Sequence, residues 1–175
     1  MRKNVFTILL LAVPALAQTT VKDALMKHWK VSGEFTLAVA KAMPAEDYNF
    51  RPNPEEMSFG EVIAHISLAD INACSIASGQ KPPAMPDQIM AFRKDPKTEI
   101  GKDLAVSFAS DTFGYCNRAI AGLTPEQLDK TVGPANRQMT AFEWLWSYFT
   151  HTAHHRGQAE VYLRLKGIKP PDYEF

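Results

Sequence analysis

The sequence has few cysteines and no net charge, and long apolar runs are scarce. Of its 175 residues only two are cysteine, and the 19 basic residues balance the 19 acidic ones. This balance gives no electrostatic case for a nucleic acid or an anionic lipid surface as partner. Apolar residues make up 46% of the chain and charged residues 22%, which is typical of a globular protein. The length suits one domain with a buried core.

The one long apolar run lies near the N-terminus. After a short basic start, Val5–Val13 is nearly unbroken in its apolar character, and Ala15 and Ala17 are small residues where a signal peptidase cleaves. The run is far shorter than the roughly 20 residues that a membrane span needs. The pattern therefore predicts a cleaved signal peptide at residues 1–17 and a mature domain at residues 18–175. We expect an exported protein, periplasmic or secreted, without a membrane anchor after cleavage.

Cys74 and Cys116 fall in separate predicted helices. In an exported protein they could form a disulfide. Unpaired cysteines, however, are among the most buried residue types, and each could pack as a small apolar side chain. The sequence favours this second interpretation and does not show whether the two cysteines meet.

Helical patterns dominate the mature chain, and no convincing alternating strand is present. The segments Ser58–Glu61 and Thr140–Glu143 are capping boxes, in which side chains satisfy the first backbone amides of a helix. Asp95 followed by Pro96 suits the first turn of another helix. Four long helices are predicted, at residues 20–43, 58–78, 95–121 and 140–166. This pattern indicates an all-α fold, a four-helix bundle.

Proline and glycine mark the connections between these helices. Three prolines make 44–57 an irregular connection, and three more make 80–94 a long loop. The segment 124–127 is expected to form one short helical turn. The segment 131–138 is predicted to be a loop.

Three of the five histidines cluster in the fourth predicted helix. His151 and His155 are four residues apart, so both lie on one face, and two imidazoles at this spacing can hold one metal ion. The zinc-protease pattern has a glutamate directly after the first histidine, whereas this chain has Thr152, so the protease interpretation lacks its general base. The same face carries Trp144 and Tyr148, an aromatic and polar mixture that suggests a pocket lining. A hydrogen-bond network without metal accounts for the spacing equally well.

Three segments resemble the corresponding segments of the DinB-like superfamily of bacterial proteins. Members of this superfamily are four-helix bundles that bind a metal ion through three histidines. The segments are Met57–Ile66 in the second predicted helix, His151–Gln158 in the fourth, and Gly167–Pro171 just beyond it. By position, the resemblance implies that His65, His151 and His155 are the metal ligands. The resemblance assigns no role to His154. Without the resemblance, a lone mid-helix histidine such as His65 would be interpreted as a core residue.

The resemblance implies a divalent metal ion, zinc or nickel, which both suit imidazole. Three histidines leave a coordination position open, as in catalytic rather than structural sites. Gln158 lies one turn from His155 and could orient a ligand or a bound water. Glu61 is the nearest candidate acid or base, although its role in the capping box is the favoured one.

The implied function is that of a metal-dependent transferase or hydrolase acting on a small molecule through thiol transfer or hydrolysis. The thiols used by characterised relatives are chiefly cytosolic, which for an exported chain gives hydrolysis more weight. The alternative is a non-catalytic, stress-associated protein in which the ion is structural or sensory. The resemblance also allows a homodimer, and the substrate cannot be read from the sequence.

Overall fold

The computed structural model describes residues 20–173. The predicted signal peptide, residues 1–17, lies outside the described residues. The helices are α1 Val21–Ala42, α2 Phe59–Ser78, α3 Asp87–Lys94, α4 Lys102–Ala121, α5 Pro125–Leu128 and α6 Ala141–Leu165, with one 3-10 turn at Ala45–Asp47. Two short strands, β1 Thr131–Val132 and β2 Met139–Thr140, pair antiparallel, with Thr131 opposite Thr140. Within residues 20–173, no helix is both long and apolar enough to span a membrane.

The long helices begin and end where local side chains satisfy the backbone. The predicted capping boxes are confirmed at the start of α2 and of α6, where Ser58 and Thr140 accept hydrogen bonds from the third residue of each helix. The end of α2 is confirmed at Gly79, whose φ of 68° is the left-handed conformation that glycine adopts without strain. The helix limits near the candidate site are therefore set by local chemistry.

The four long helices form the predicted bundle. Helices α1 and α2 each pack against both α4 and α6, so the two pairs alternate around one core. Gly60, in the first turn of α2, donates its backbone N–H to the Tyr48 carbonyl at 2.8 Å. A Cβ at this position would lie 2.0 Å from the Ile100 carbonyl oxygen, so only glycine allows this approach. The start of α2 is thereby fixed against two connecting segments.

The two cysteines do not pack as unpaired apolar side chains, the interpretation that the sequence favoured. Cys74 of α2 and Cys116 of α4 are both buried, as expected, but they are joined as a disulfide with their Cα atoms 5.4 Å apart. The prediction of unpaired thiols is therefore wrong. The reason is tertiary, because α2 and α4 pack side by side and both cysteines face that contact.

Three predictions for the segments between the long helices are also wrong. The long loop at 80–94 contains α3, which buries Ile89 and Phe92 against the core. The next helix begins at Lys102 rather than at Asp95, because Asp95 is extended ahead of Pro96. The expected loop at 131–138 begins with strand β1, which is too short for an alternating pattern to reveal it.

Candidate metal centre

Three histidine side chains converge between α2 and α6. His65 lies near the middle of α2, and His151 and His155 lie one turn apart on α6. Their candidate ligand nitrogens all lie within 4.8 Å of one another, and the Nε2 atoms of His65 and His151 are 3.2 Å apart. The three rings are half-buried, with centroids separated by 4.4–5.0 Å. The fold thus brings together the three histidines that the family resemblance selected.

Helix geometry and packing explain why these rings meet. His65 is flanked by Ala64 and Ile66, which are fully buried and hold this turn of α2 in the core. On α6, His151 and His155 share a face because they are four residues apart. Since α2 and α6 pack directly on each other, that face meets His65.

Gln158 orients one of the rings. The Nδ1 atom of His155 lies 2.7 Å from the Oε1 atom of Gln158. An amide oxygen only accepts hydrogen bonds, so Nδ1 carries the ring proton and Nε2 keeps its lone pair. A partner on the remote ring nitrogen is the usual support for a metal-binding histidine. Gln158, which lies one turn from His155, is therefore in direct contact with that ring.

Burial keeps the three imidazoles neutral. It lowers the pKa of His151 to about 4, helped by the nearby rings of His155 and His65. The pKa values of His65 and His155 are also lowered, in both cases chiefly by burial. Neutral imidazole is the form that binds metal ions. At neutral pH the cluster thus offers three lone pairs without first losing protons.

The donor set fits a divalent ion. Two nitrogens bound tetrahedrally to zinc would be about 3.3 Å apart, close to the 3.2 Å between His65 and His151. The Nδ1 atom of His151 is buried and has no hydrogen-bond partner among residues 20–173. Within the same residues, no carboxylate or cysteine joins the three histidines as a further ligand. Residues 20–173 therefore offer three clustered nitrogens for a metal ion and no fourth protein ligand beside them.

Tyr148 and Trp144 form a wall on one side of the cluster. The Tyr148 ring lies 5.6 Å from the His151 ring and stacks on Trp144 at 5.8 Å. Trp144 is buried and donates its indole N–H to the Val132 carbonyl at 3.2 Å. The guanidinium of Arg137 covers both aromatic rings, at 4.7 Å from Trp144 and 5.8 Å from Tyr148. Tyr148 adjoins the histidines, whereas Trp144 supports it from behind.

Glu61 is engaged in holding the start of α2. Its Oε2 atom accepts hydrogen bonds from the Ser58 backbone at 3.0 Å and from Arg51 at 2.8 Å, and Arg51 also pairs with Oε1. Both carboxylate oxygens are therefore occupied, and Glu61 is not among the clustered ligand groups. This geometry corresponds to the role in the capping box that the sequence favoured for Glu61.

The remaining two histidines lie apart from the three-histidine group. His154 is exposed, and its ring stands edge-on to His155 at 4.8 Å. His28 is exposed on α1 and lines a separate, mostly apolar cavity between α1 and α6. Neither belongs to the group of clustered ligand atoms.

Sequence reasoning missed a second polar layer between the same helices. Asp70 of α2 is fully buried, and the Thr152 hydroxyl donates a shared hydrogen bond to both of its carboxyl oxygens at 2.9 Å. Burial raises the pKa of Asp70 to about 8, although Thr152 and the charge of Arg156 act against it. Arg156 donates to the Ser32 hydroxyl at 2.8 Å and lies over the Phe35 ring. The sequence signal that could have indicated this layer is the four-residue spacing of Thr152 and Arg156, which places both side chains on one face of the helix.

Solved structures share this fold. A DinB-like protein from Bacillus cereus superposes with a TM-score of 0.72 at 19% identity, over 89% of this chain and 99% of its own. A DinB-like protein from Bacillus subtilis gives 0.65 at 22% identity, over 86% and 98%. YfiT from Bacillus subtilis, described as a "probable metal-dependent hydrolase" with a four-helix bundle, gives 0.66 at 13% identity, over 91% and 95%.

The sequence comparisons identify the family. No protein with a curated description matches this chain significantly. The model of the DinB superfamily matches residues 29–159, a range that includes all three clustered histidines and most of the bundle. The chain belongs to the DinB superfamily.

Proposed function

We propose that the protein is a divalent-metal-dependent enzyme, with His65, His151 and His155 as the metal ligands and with hydrolysis of a small molecule as its reaction. The observation that carries this proposal is three converging neutral imidazoles without a further protein ligand among the described residues. Such open three-histidine sites are typical of catalytic rather than structural metal centres. Zinc and nickel both suit this donor set.

The residues around the histidines have distinct roles in this proposal. Gln158 holds the proton on Nδ1 of His155, so that Nε2 faces inward. Tyr148 packs beside His151 and supplies an aromatic wall on that side. A bound divalent ion would supply a water of lowered pKa, near 7 in known zinc enzymes, or would hold a substrate thiolate.

Hydrolysis is favoured over thiol transfer by the proposed location. We infer export from the leader pattern at residues 1–17, and the disulfide between Cys74 and Cys116 supports this inference because such bonds persist in oxidising compartments. The description of YfiT as a "probable metal-dependent hydrolase" points in the same direction. Thiol transfer is the second chemistry that this donor set permits.

The test is metal removal with two readouts. Purified protein is analysed for metal, stripped with a chelator, and reloaded with zinc or nickel. Hydrolysis of a panel of activated carboxylic and phosphoric esters is measured at each stage, together with the melting temperature. We expect about one ion per chain, loss of hydrolysis on stripping and recovery on reloading.

Two outcomes would contradict this proposal. Hydrolysis that survives complete stripping would remove the metal from the reaction. A large drop in melting temperature on stripping, with no hydrolysis of any ester by the loaded protein, would instead support the non-catalytic alternative. In that case the ion would stabilise the bundle and not act on a substrate.

A further inference from the structure

A cavity of about 340 Å³ opens beside His65, on the outer face of α2. Its size falls within the range of small-molecule sites, roughly 300–1,000 Å³. His65 belongs both to this cavity and to the histidine cluster. The other residues that matter for its chemistry are Leu68, Asn72, Ser75, Met85 and Arg93. The cavity therefore gives a small molecule access to His65, whereas His151 and His155 do not line it.

The outer wall of the cavity is built by α3 and the segment before it. Ile89 and Phe92 of α3 are buried in the core, which fixes the backbone of Arg93 directly after Phe92. The Gln88 side chain donates to the Glu99 carbonyl at 2.7 Å and ties α3 to the following segment. The Ser75 hydroxyl donates to the Gln80 carbonyl at 3.0 Å and ties the preceding loop to α2. The wall is thus held at both ends.

The charge in this cavity is unbalanced. The Arg93 side chain is exposed and has no hydrogen bond or ion pair with any of residues 20–173, and no acidic residue lines the cavity. The Asn72 side-chain amide is likewise without a hydrogen-bond partner within those residues. A guanidinium presents a planar fork of donors that matches a carboxylate or a phosphate. These two side chains offer donors to an anion.

The spacing of Asn72 and His65 along α2 relates these donors to the histidine cluster. Asn72 follows His65 by seven residues, about two helical turns, so both lie on one face of α2 and about 10 Å apart along its axis. Leu68 and Ala69 lie between them and give the floor an apolar stretch. Met85 adds apolar surface from the opposite wall.

We propose that this cavity is the substrate site of the metal centre and that it selects small molecules with a carboxylate or phosphate group. Arg93 and Asn72 hold the anion, Leu68 and Met85 contact the apolar middle, and the scissile bond lies at His65. In ester hydrolysis there, the water oxygen bonds to the acyl carbon, the ester C–O bond breaks, and the leaving alcohol oxygen takes up a water proton. This inference rests on the proposed function and adds its substrate class.

The test is a binding measurement with matched probes. Suberic acid monohydroxamate carries a metal-binding hydroxamate at one end and a carboxylate at the other, and in its methyl ester a neutral ester group replaces the carboxylate. The monophosphate ester of 6-hydroxyhexanohydroxamic acid is the phosphate counterpart. Each is titrated calorimetrically into zinc-loaded protein, into Arg93→Gln and into Lys94→Gln. Lys94 is the neighbouring cation on α3 and does not line the cavity.

We expect at least one anionic probe to bind about tenfold or more tightly than the methyl ester, as charge-assisted hydrogen bonds imply. Arg93→Gln should remove most of this preference and leave zinc content and methyl-ester affinity unchanged. Lys94→Gln should keep the preference. The stronger of the two anionic probes identifies the anion. The side-chain amide resonance of Asn72 should shift with that probe and not with the methyl ester.

The failures of the two proposals are distinguishable. Wild-type protein that binds no zinc would overturn the metal centre itself. Protein that binds zinc and the hydroxamates, but shows the same affinity for charged and uncharged probes, would overturn the anion site alone. An anion preference that Arg93→Gln leaves intact would also overturn it.

Discussion

Two polar layers lie next to each other between α2 and α6, and they are built in opposite ways. In one, ring nitrogens of His65, His151 and His155 converge on one space that no other ligand residue of the described chain enters. In the other, Asp70 is fully buried, and the Thr152 hydroxyl donates to both of its carboxyl oxygens. The first layer is open and half-exposed, whereas the second is closed and buried.

Adjacent residues of α6 supply both layers. His151 is followed by Thr152, and His155 by Arg156, so a rotation of about 100° along the helix separates the two faces. Buried polar groups that hydrogen-bond to one another stabilise a particular packing of the helices. A cluster of half-buried imidazole nitrogens is instead typical of a ligand site. The difference shows that one pair of helices presents the histidines on one face and joins the two helices by buried hydrogen bonds on the next.

The strongest test of the open layer is the loss of one ligand. His151→Ala should weaken metal binding more than 100-fold, about 2.7 kcal/mol or more, because two imidazoles remain to hold the ion. Metal per chain is measured by elemental analysis after dialysis against a weak chelator. His28→Ala is the matched control, since His28 lies outside the cluster. A full complement of metal in His151→Ala would remove this residue from the site.

The disulfide should stabilise the bundle without affecting the open layer. It closes a loop with a sequence separation of 42 residues, for which chain entropy gives roughly 4 kcal/mol. We expect Cys74→Ser with Cys116→Ser to lower the free energy of unfolding by about this amount in urea, with metal content unchanged. The bond joins α2 to α4, whereas His151 and His155 lie on α6. Equal stability with and without a reductant would contradict the pairing.

The closed layer should make stability depend on pH up to about 8. The pKa of Asp70 is raised to about 8 in the fold, so the folded chain keeps a proton that the unfolded chain has lost, and stability falls as pH rises to about 8. The lowered pKa of His151 acts oppositely, since stability rises with pH up to the unfolded value near 6.5. Between about pH 6.5 and 8 the Asp70 effect therefore acts alone.

Metal-free protein should accordingly lose roughly 2 kcal/mol of unfolding free energy from pH 6.5 to 8. Asp70→Asn keeps the shape and an acceptor for Thr152 but cannot ionise, so its stability should be flat over the same interval. Urea titrations at several pH values measure both. Parallel pH profiles for the two proteins would show that Asp70 does not ionise in this range.

The smallest expected effect concerns the support of the open layer. Gln158→Ala removes the acceptor at Nδ1 of His155 and should weaken metal binding about tenfold. Gln158→Glu keeps an acceptor and should restore it. Competition with a coloured chelator measures both affinities. An unchanged affinity in Gln158→Ala would mean that packing alone orients the His155 ring.

Much of the fold could be predicted because its signals are local. The capping boxes at Ser58 and Thr140 involve partners three residues apart, and the pairing of His151 with His155 on one face follows from helix geometry. His65 as the third member depended on family resemblance, because nothing in its own surroundings distinguishes it from a core histidine. Its partner His151 is 86 residues away in sequence.

What the sequence by itself determined is the four long helices, most of their ends, and which side chains share a face. Only the tertiary structure decided which faces meet. It joined Cys74 to Cys116, placed Asp70 against Thr152 across 82 residues of sequence, and turned part of an expected loop into α3 beside His65. The reason is physical: hydrogen bonds within one helical turn depend on nearest neighbours, whereas these contacts depend on how whole helices pack around a common core.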